Sequence, residues 1–284
     1  VPQTAQASSH APLQGYSEKE QSEIAMVTDN DLVKAARMLA SASKVVVLSG
    51  AGVSRESGLP TFREPQTGLW ARYDPQKLAS PEGFRHDPHL VWSWYMYRLR
   101  LVSQASPNAA HHAIVQLESL LPEVVVLTQN IDGLHQRAGS SRVEELHGSI
   151  HRFRCAADCQ GAPTIIELPP EALQSDRAPH CPHCDEFVRP DVVWFGETLP
   201  GDVIDRAFTA AATCNAMLVV GTSGVVQPAA SLPFVARQYG AEVIEVNTEP
   251  SEVTRFASIY LQGAAGEVLP GLIAALQARR AGAG

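Results

Sequence analysis

Three short runs along the chain, 45–48, 124–127 and 217–220, are wholly apolar and rich in β-branched residues, and a fourth, 243–246, is apolar but for Glu245. None alternates polar with apolar positions, which predicts strands covered on both faces. Between them the apolar period changes. Leu32, Ala36 and Leu39 recur at helical spacing and predict a helix over 31–43, capped by Thr28 or Asp29. Ile114, Leu117 and Leu121 predict another over 107–121, with Ser106 as its cap. Buried strands alternating with helices predict an α/β fold on a doubly wound, Rossmann-like parallel sheet. Three of the four runs end in clusters of Ser, Thr, Asn and Gly. Ligands bind at the carboxyl ends of strands in such sheets.

Two stretches interrupt the alternation. Residues 65–105 are rich in Trp, Tyr, Arg and Pro and carry a predicted helix over 88–103, and residues 151–190 hold two cysteine pairs and a Pro-rich segment without period. Both read as parts of a smaller module inserted into the sheet domain. The expected organisation is a polar flexible leader over 1–28 and a sheet domain over 29–64, 120–150 and 191–277. The helical part of the small module then covers 65–119, its cysteine-bearing part 151–190, and an Ala/Gly-rich tail 278–284.

Composition narrows the classes of function. Of the 284 residues, 45% are hydrophobic and 18% charged, enough apolar surface for a packed core and too much for a mostly disordered chain. Lys and Arg number 22 against 30 Asp and Glu, a net charge of −8. That balance argues against general nucleic-acid or anionic-membrane binding, where positive charge supplies most of the affinity. No apolar run approaches the roughly 20 residues of a spanning helix. Of five cysteines, Cys155 pairs in sequence with Cys159 and Cys181 with Cys184, a spacing that suggests metal ligands in a reducing compartment rather than disulfides. Cys214, beside an apolar run, reads as a buried structural thiol.

The first strand runs into Gly50-Ala51-Gly52-Val53-Ser54-Arg55. Glycines there let a backbone approach a pyrophosphate closely. The match to the dinucleotide fingerprint is incomplete, because Arg55 stands at the third glycine position and no acidic residue ends a second strand about 20 positions on. A tight turn is the alternative reading, and an ordinary dehydrogenase is the poorer one. The longer stretch from Gly50 through Glu56, Thr61, Phe62 and Arg63 closely resembles the cofactor loop of the sirtuins, the NAD-dependent protein-lysine deacylases. Further matches follow in order: Thr128-Gln129-Asn130-Ile131-Asp132, Leu146-His147-Gly148, the cysteine pairs, Val193-Trp194-Phe195-Gly196-Glu197, Gly221-Thr222-Ser223 and Asn247-Thr248-Glu249. The resemblance spans about residues 31–275.

The resemblance implies NAD as co-substrate. Asp132 then binds the nicotinamide carboxamide, Gln129 and Asn130 the ribose region, and Phe62 and Arg63 shield and position the cofactor. Gly221, Thr222, Ser223, Asn247, Thr248 and Glu249 match the adenosine side, and Ala265 falls where the family contacts adenine. His147 matches the general base, a role suited to an imidazole titrating near neutrality. The implied mechanism has the acyl-lysine amide oxygen attack C1′ of the ribose, releasing nicotinamide and leaving an alkylimidate. His147 then activates a ribose hydroxyl, and the products are free lysine and O-acyl-ADP-ribose. Asn130 joins His147 as an expected catalytic residue. Without the other motifs, Gln129 to Asp132 would read as a turn leaving a strand.

Cys155, Cys159, Cys181 and Cys184 fit one structural zinc ion with four thiolates, both gaps lying within the range that lets a turn present two sulfurs to one ion. Asp158 or His183 remain open as substitute ligands. The segment 192–197 reads as extended and apolar. Through Val193, Phe195, Gly196 and Glu197 it resembles the strand that pairs its backbone with a substrate peptide; a buried strand is the compatible alternative.

Tyr95 and Arg98 lie at i and i+3 of a predicted helix and so share a face. Alone they would read as a half-buried tyrosine and a solvated arginine. Within the resemblance, the Tyr-x-x-Arg pair matches the sirtuins that remove succinyl, malonyl and glutaryl groups, and Thr61 and the small Ala79 point the same way. The expected function is an NAD-dependent desuccinylase or demalonylase with weaker deacetylase activity; the alternatives are a plain deacetylase or an NAD-dependent protein ADP-ribosyltransferase. The expected partners are acyl-lysine proteins or peptides, with no direct nucleic-acid binding, no membrane, and a monomer as the plausible state. The cytoplasm is the expected location, with an organelle such as the mitochondrion open because the chain starts at Val1 rather than Met.

Overall fold

A computed structural model describes residues 27–61 and 73–282. The expected leader up to residue 26, and Phe62 and Arg63, lie outside the described residues.

The first helix, α1 (Asp29–Ala40), starts at Thr28, whose side chain accepts from Asp31 N–H while Asp31 reaches back to the Thr28 backbone. That reciprocal cap satisfies two amides with no partner inside the helix. All four runs form strands: β1 (Val45–Ser49), β2 (Val124–Thr128), β6 (Ala216–Val220) and β7 (Glu242–Asn247). Two shorter strands, β3 (Val143–Glu145) and β8 (Ile259–Gln262), complete a six-stranded sheet in the order β3-β2-β1-β6-β7-β8. Every pairing in it is parallel. The edge strands are short and half-buried, so they lack the apolar signature of the other four.

Alternate residues of each central strand feed opposite layers. Val45, Val47, Val124, Val126 and Leu218 pack with α1, with α5 (Ala109–Leu120) and with the closing helix α9 (Ala265–Ala281). Val46, Leu48, Val125, Leu127 and Met217 pack with α7 (Gly201–Thr213) and α8 (Leu232–Gln238). The sheet is thus covered on both faces, the doubly wound arrangement that its largely apolar strands predict.

Helix α5 corrects one expected boundary. Its Ala110, Ala113, Ile114 and Leu117 share a core with the sheet, so 109–119 packs with the large unit rather than with the helical part of the small module. Its cap is Asn108, which accepts from Ala110 and His111 N–H, rather than Ser106. The small module has its own core, where Trp92, Tyr95 and Met96 of α4 (Pro88–Gln104) meet Phe153, Val188 and Trp194. Short helices α2 (Pro75–Leu78) and α3 (Pro81–His86) lead into α4, and α6 (Leu134–Ala138) follows β2. An antiparallel pair, β4 (Gly148–Cys155) and β5 (Val188–Val192), carries the chain into and out of the cysteine-bearing segment. Among the described residues no helix is long and apolar enough to cross a membrane.

Candidate active site

The strand order reverses between β1 and β6, which opens a crevice at their carboxyl ends. The two strands leave the sheet with their backbones almost touching. Gly52 N–H donates to the Gly221 carbonyl at 2.8 Å, and a Cβ on Gly52 would lie 2.7 Å from Gly221 Cα. Gly221 also has φ +60, so both positions require glycine. Beyond Gly50 the chain forms a 3-10 helix, Ala51–Ser57, rather than the α-helix a full dinucleotide fingerprint would open, in keeping with Arg55 at the third glycine position. Glu56 ties this loop to the start of α9, accepting from Gly266 N–H at 2.7 Å, beside the buried Ala265.

The end of β2 supplies the polar floor. Gln129 Nε2 donates to Thr222 Oγ1 at 3.0 Å, bridging β2 to β6. Asn130 Nδ2 donates to the Gly50 carbonyl at 3.2 Å and to Ser54 Oγ at 3.0 Å. Ser54 Oγ in turn donates to Asp132 Oδ2 at 2.8 Å, and Leu134 N–H fixes the other oxygen at 2.9 Å. Burial pushes the Asp132 carboxyl up, against these hydrogen bonds and the nearby charges of His151 and Arg98. On the far side, Asn247 Nδ2 donates to the Thr222 carbonyl at 2.8 Å, so Gly221 to Ser223 are braced between the ends of β2 and β7. Thr248 follows directly, its N–H donating to Asn247 Oδ1 at 3.1 Å.

His147 lies between β3 and β4. Its Nδ1 is 3.0 Å from the Gln129 carbonyl. A carbonyl only accepts, which assigns the proton to Nδ1 and leaves the lone pair on Nε2. Burial lowers its pKa, opposed by the bond to Gln129, so the ring is neutral at neutral pH. Its own carbonyl accepts from Val193 N–H at 2.9 Å, which links the imidazole to the segment after β5. That segment is not extended throughout, as its apolar composition suggested. β5 ends at Val192, and Phe195-Gly196 turn, with Gly196 at φ +90. Phe195 is exposed, while its N–H donates to the Ala79 carbonyl at 2.9 Å.

Tyr95 and Arg98 do share a face of α4, but Tyr95 is fully rather than half buried and Arg98 is partly buried rather than solvated. Tyr95 is fully buried, and its hydroxyl accepts from Trp194 Nε1 at 2.9 Å. Burial pushes its pKa up to about 12, so it remains a neutral donor. The Arg98 guanidinium sits 5.2 Å from the Trp94 ring centroid. Burial works against its charge, while Tyr95 and Asp132 lie close enough to favour it. Arg98 and Asp132 are thus close enough for their charges to act on each other.

A sequence model of the Sir2 family matches residues 50–228. The NAD-dependent protein deacylase 2 of Pyrobaculum aerophilum is 50% identical over 244 residues, covering 86% of this chain and 95% of that protein. The chain belongs to the Sir2 family. A solved Sir2 homologue in complex with NAD superposes with a TM-score of 0.79 at 43% identity, over 87% of this chain and 94% of that one. Sir2Af2 bound to a myristoylated histone peptide gives 0.73 at 36% identity, over 90% of this chain and all 100% of that one.

Away from the crevice, the ligand atoms of Cys155, Cys159, Cys181 and Cys184 all lie within 4.8 Å of one another, so this Sir2 protein has four thiols placed to bind one metal ion. Asp158 is not available as a substitute ligand: its carboxylate is engaged by Arg154 and accepts from Thr164 N–H at 3.1 Å. Cys214 is buried, as expected. The Glu197 side chain turns back onto its own segment. Arg189 grips its carboxylate at 2.5 and 2.9 Å, and Trp194 N–H donates to it at 2.8 Å. Burial pushes the Glu197 carboxyl up, but the Arg189 guanidinium outweighs it and holds the pKa below its ordinary value. Glu197 thus fastens the turn that carries Trp194 and Phe195.

Two contributors were not picked out from the sequence. Ser54 joins Asn130 to Asp132, and Asn108 Nδ2 holds the glycine loop by donating to the Val53 carbonyl at 2.8 Å and Ser57 Oγ at 3.0 Å. The place of Ser54 inside the glycine loop was a signal for it. Asn108 showed only as one of several polar residues before a helix.

Proposed function

We propose that this protein is an NAD-dependent protein-lysine deacylase that prefers short acyl groups ending in a carboxylate, with weaker deacetylase activity. The observation that carries the reading is the convergence, at the ends of β1 and β2, of a neutral imidazole with its Nε2 lone pair open and the Asn130–Ser54–Asp132 network, with the Arg98 charge acting on Asp132. Its place in the Sir2 family, among relatives that bind NAD or an acylated peptide, supports the cofactor and the substrate class.

Bound NAD supplies an electrophilic ribose carbon whose leaving group is nicotinamide. Asp132 and Ser54 hold the carboxamide end, and Gln129 and Asn130 hold the ribose. His147 Nε2 takes a proton from a ribose hydroxyl, while the Gln129 carbonyl holds the ring in the required tautomer. The backbone from Val193 to Gly196 meets the substrate peptide through main-chain groups, tolerating varied sequence. The distal carboxylate of the acyl chain pairs with Arg98 and accepts from the Tyr95 hydroxyl, a charge-assisted combination that an acetyl group cannot use.

Zinc is the ion that the four-cysteine cluster suits. Thiolate donors at this spacing form closed tetrahedral sites, which makes the role structural.

The test is kcat/KM on succinyl and acetyl forms of one peptide, with and without NAD. A clear succinyl preference that depends on NAD is expected. Equal values would make this a plain deacetylase, and transfer of label from NAD onto protein without loss of acyl-lysine would make it an ADP-ribosyltransferase.

A further inference from the structure

β7 is a parallel strand covered on both faces, yet it carries a fully buried glutamate, Glu245. A carboxylate so placed is costly unless its oxygens are met, and they are met from the loop that follows the strand. Ser251 Oγ donates to Glu245 Oε1 at 2.5 Å, and Thr254 Oγ1 donates to Oε2 at 2.6 Å. The same two side chains organise the loop itself: Ser251 N–H donates to Thr254 Oγ1 at 2.8 Å, and Val253 N–H to Ser251 Oγ at 3.0 Å. Tyr260, paired with Glu245 on the neighbouring strand, donates its hydroxyl to the Asn247 carbonyl at 3.1 Å. One carboxylate thus anchors a turn closed over the end of β7.

This turn braces the neighbouring loop. Glu252 N–H donates to the Ser223 carbonyl at 3.3 Å, and Asn247 Nδ2 to the Thr222 carbonyl at 2.8 Å. Gly224, at φ +66, sits so close that a Cβ there would lie 3.1 Å from Val253 Cγ2. Thr222 also receives the Gln129 amide. Glu245 is enclosed by the fold, so whatever it does for a ligand runs through these two loops.

We propose that Glu245, held by Ser251 and Thr254, is a positioning residue for the adenosine half of the dinucleotide, fixing loop 247–254 against Thr222 and Ser223 before the ligand arrives. The inference rests on reading the crevice as the NAD site. Its physical content is preorganisation: a loop already ordered in the free protein does not charge its ordering entropy to binding.

The test separates KM from kcat. Glu245→Ala raises KM for NAD by roughly tenfold or more, the equivalent of about 1.4 kcal/mol. The kcat at saturating NAD stays within about threefold, and KM for the acyl-peptide is unchanged. Glu245→Gln, which keeps the shape and one acceptor oxygen, recovers most of the loss. Should Glu245→Ala fail to fold, Thr254→Val removes one of the two hydroxyl donors and shifts KM for NAD in the same direction by less. Unchanged KM for NAD in these variants, or a loss falling on kcat, overturns the proposal. Hydrogen exchange over 247–254 is read alongside: Glu245→Ala or Thr254→Val quickens it, and unchanged exchange overturns the anchoring role. Exchange also keeps the two readings apart. A wild-type protein that turns over no NAD contradicts the assigned activity, while loop exchange still reports on Glu245.

Discussion

Replacing Arg98 with Met keeps most of the aliphatic length of the side chain and removes the cation. In the wild-type protein the guanidinium lies beside a fully buried Tyr95 and near Asp132, where water screens it poorly. Losing one partner of a buried, hydrogen-bonded charge pair costs about 2–5 kcal/mol. On a succinylated peptide that is a fall in kcat/KM of roughly 30- to 4,000-fold. An acetylated peptide has no distal carboxylate and should lose much less. Some loss is expected on both, because Arg98 is one of the charges that favour the ionised form of Asp132. The assay is kcat/KM on matched succinyl and acetyl peptides at saturating NAD, for wild type and Arg98→Met. Equal proportional losses on the two substrates would refute the assignment of Arg98 to the acyl carboxylate.

Other expectations follow from the same geometry. His147→Ala should lower kcat by about 10²–10⁴-fold while leaving the Kd for NAD, measured by calorimetry, within a few fold. Because burial sets the His147 pKa below its ordinary 6.5 and the base must be neutral, kcat/KM should fall only as pH drops through that lowered value; an acid limb centred above pH 7 would contradict the assignment. Stripping metal with a chelator, or Cys181→Ser, should lower Tm and release about one zinc per chain by elemental analysis, since the free energy of a structural site is folding free energy. Arg189→Met should destabilise the protein by about 2–4 kcal/mol in urea unfolding, because it leaves the Glu197 carboxylate unpaired beside Trp194. The Glu197 pKa is depressed below its ordinary 4.5. Its pairing therefore contributes above that pH and is lost as pH falls through the folded value, so the deficit of the variant should shrink in acid.

The sheet was legible wherever burial was complete. Runs such as 45–48 and 124–127 can fold in few other ways, and both became central strands. The edges were not legible: β3 is Val-Glu-Glu, half in water, and carries no apolar run to find. The helix over 109–120 showed its period clearly, but period alone does not say which core the apolar face joins, so its domain was misjudged. At the site, glycines and the Thr-Gln-Asn-Ile-Asp stretch gave themselves away by clustering at strand ends. Ser54 and Asn108 act through hydrogen bonds to groups 51 to 78 residues distant. Spacing along a chain does not record such contacts. Glu197 illustrates the converse, a residue prominent in its motif whose carboxylate is spent on Arg189.

The central claim is that one crevice joins the ribose of NAD to the acyl-lysine, with His147 as base. Mass spectrometry of a succinyl-peptide reaction tests it directly. For each succinyl group removed, the account predicts one nicotinamide and one O-succinyl-ADP-ribose, with no product from His147→Ala above background. Free succinate formed without consumption of NAD would contradict it.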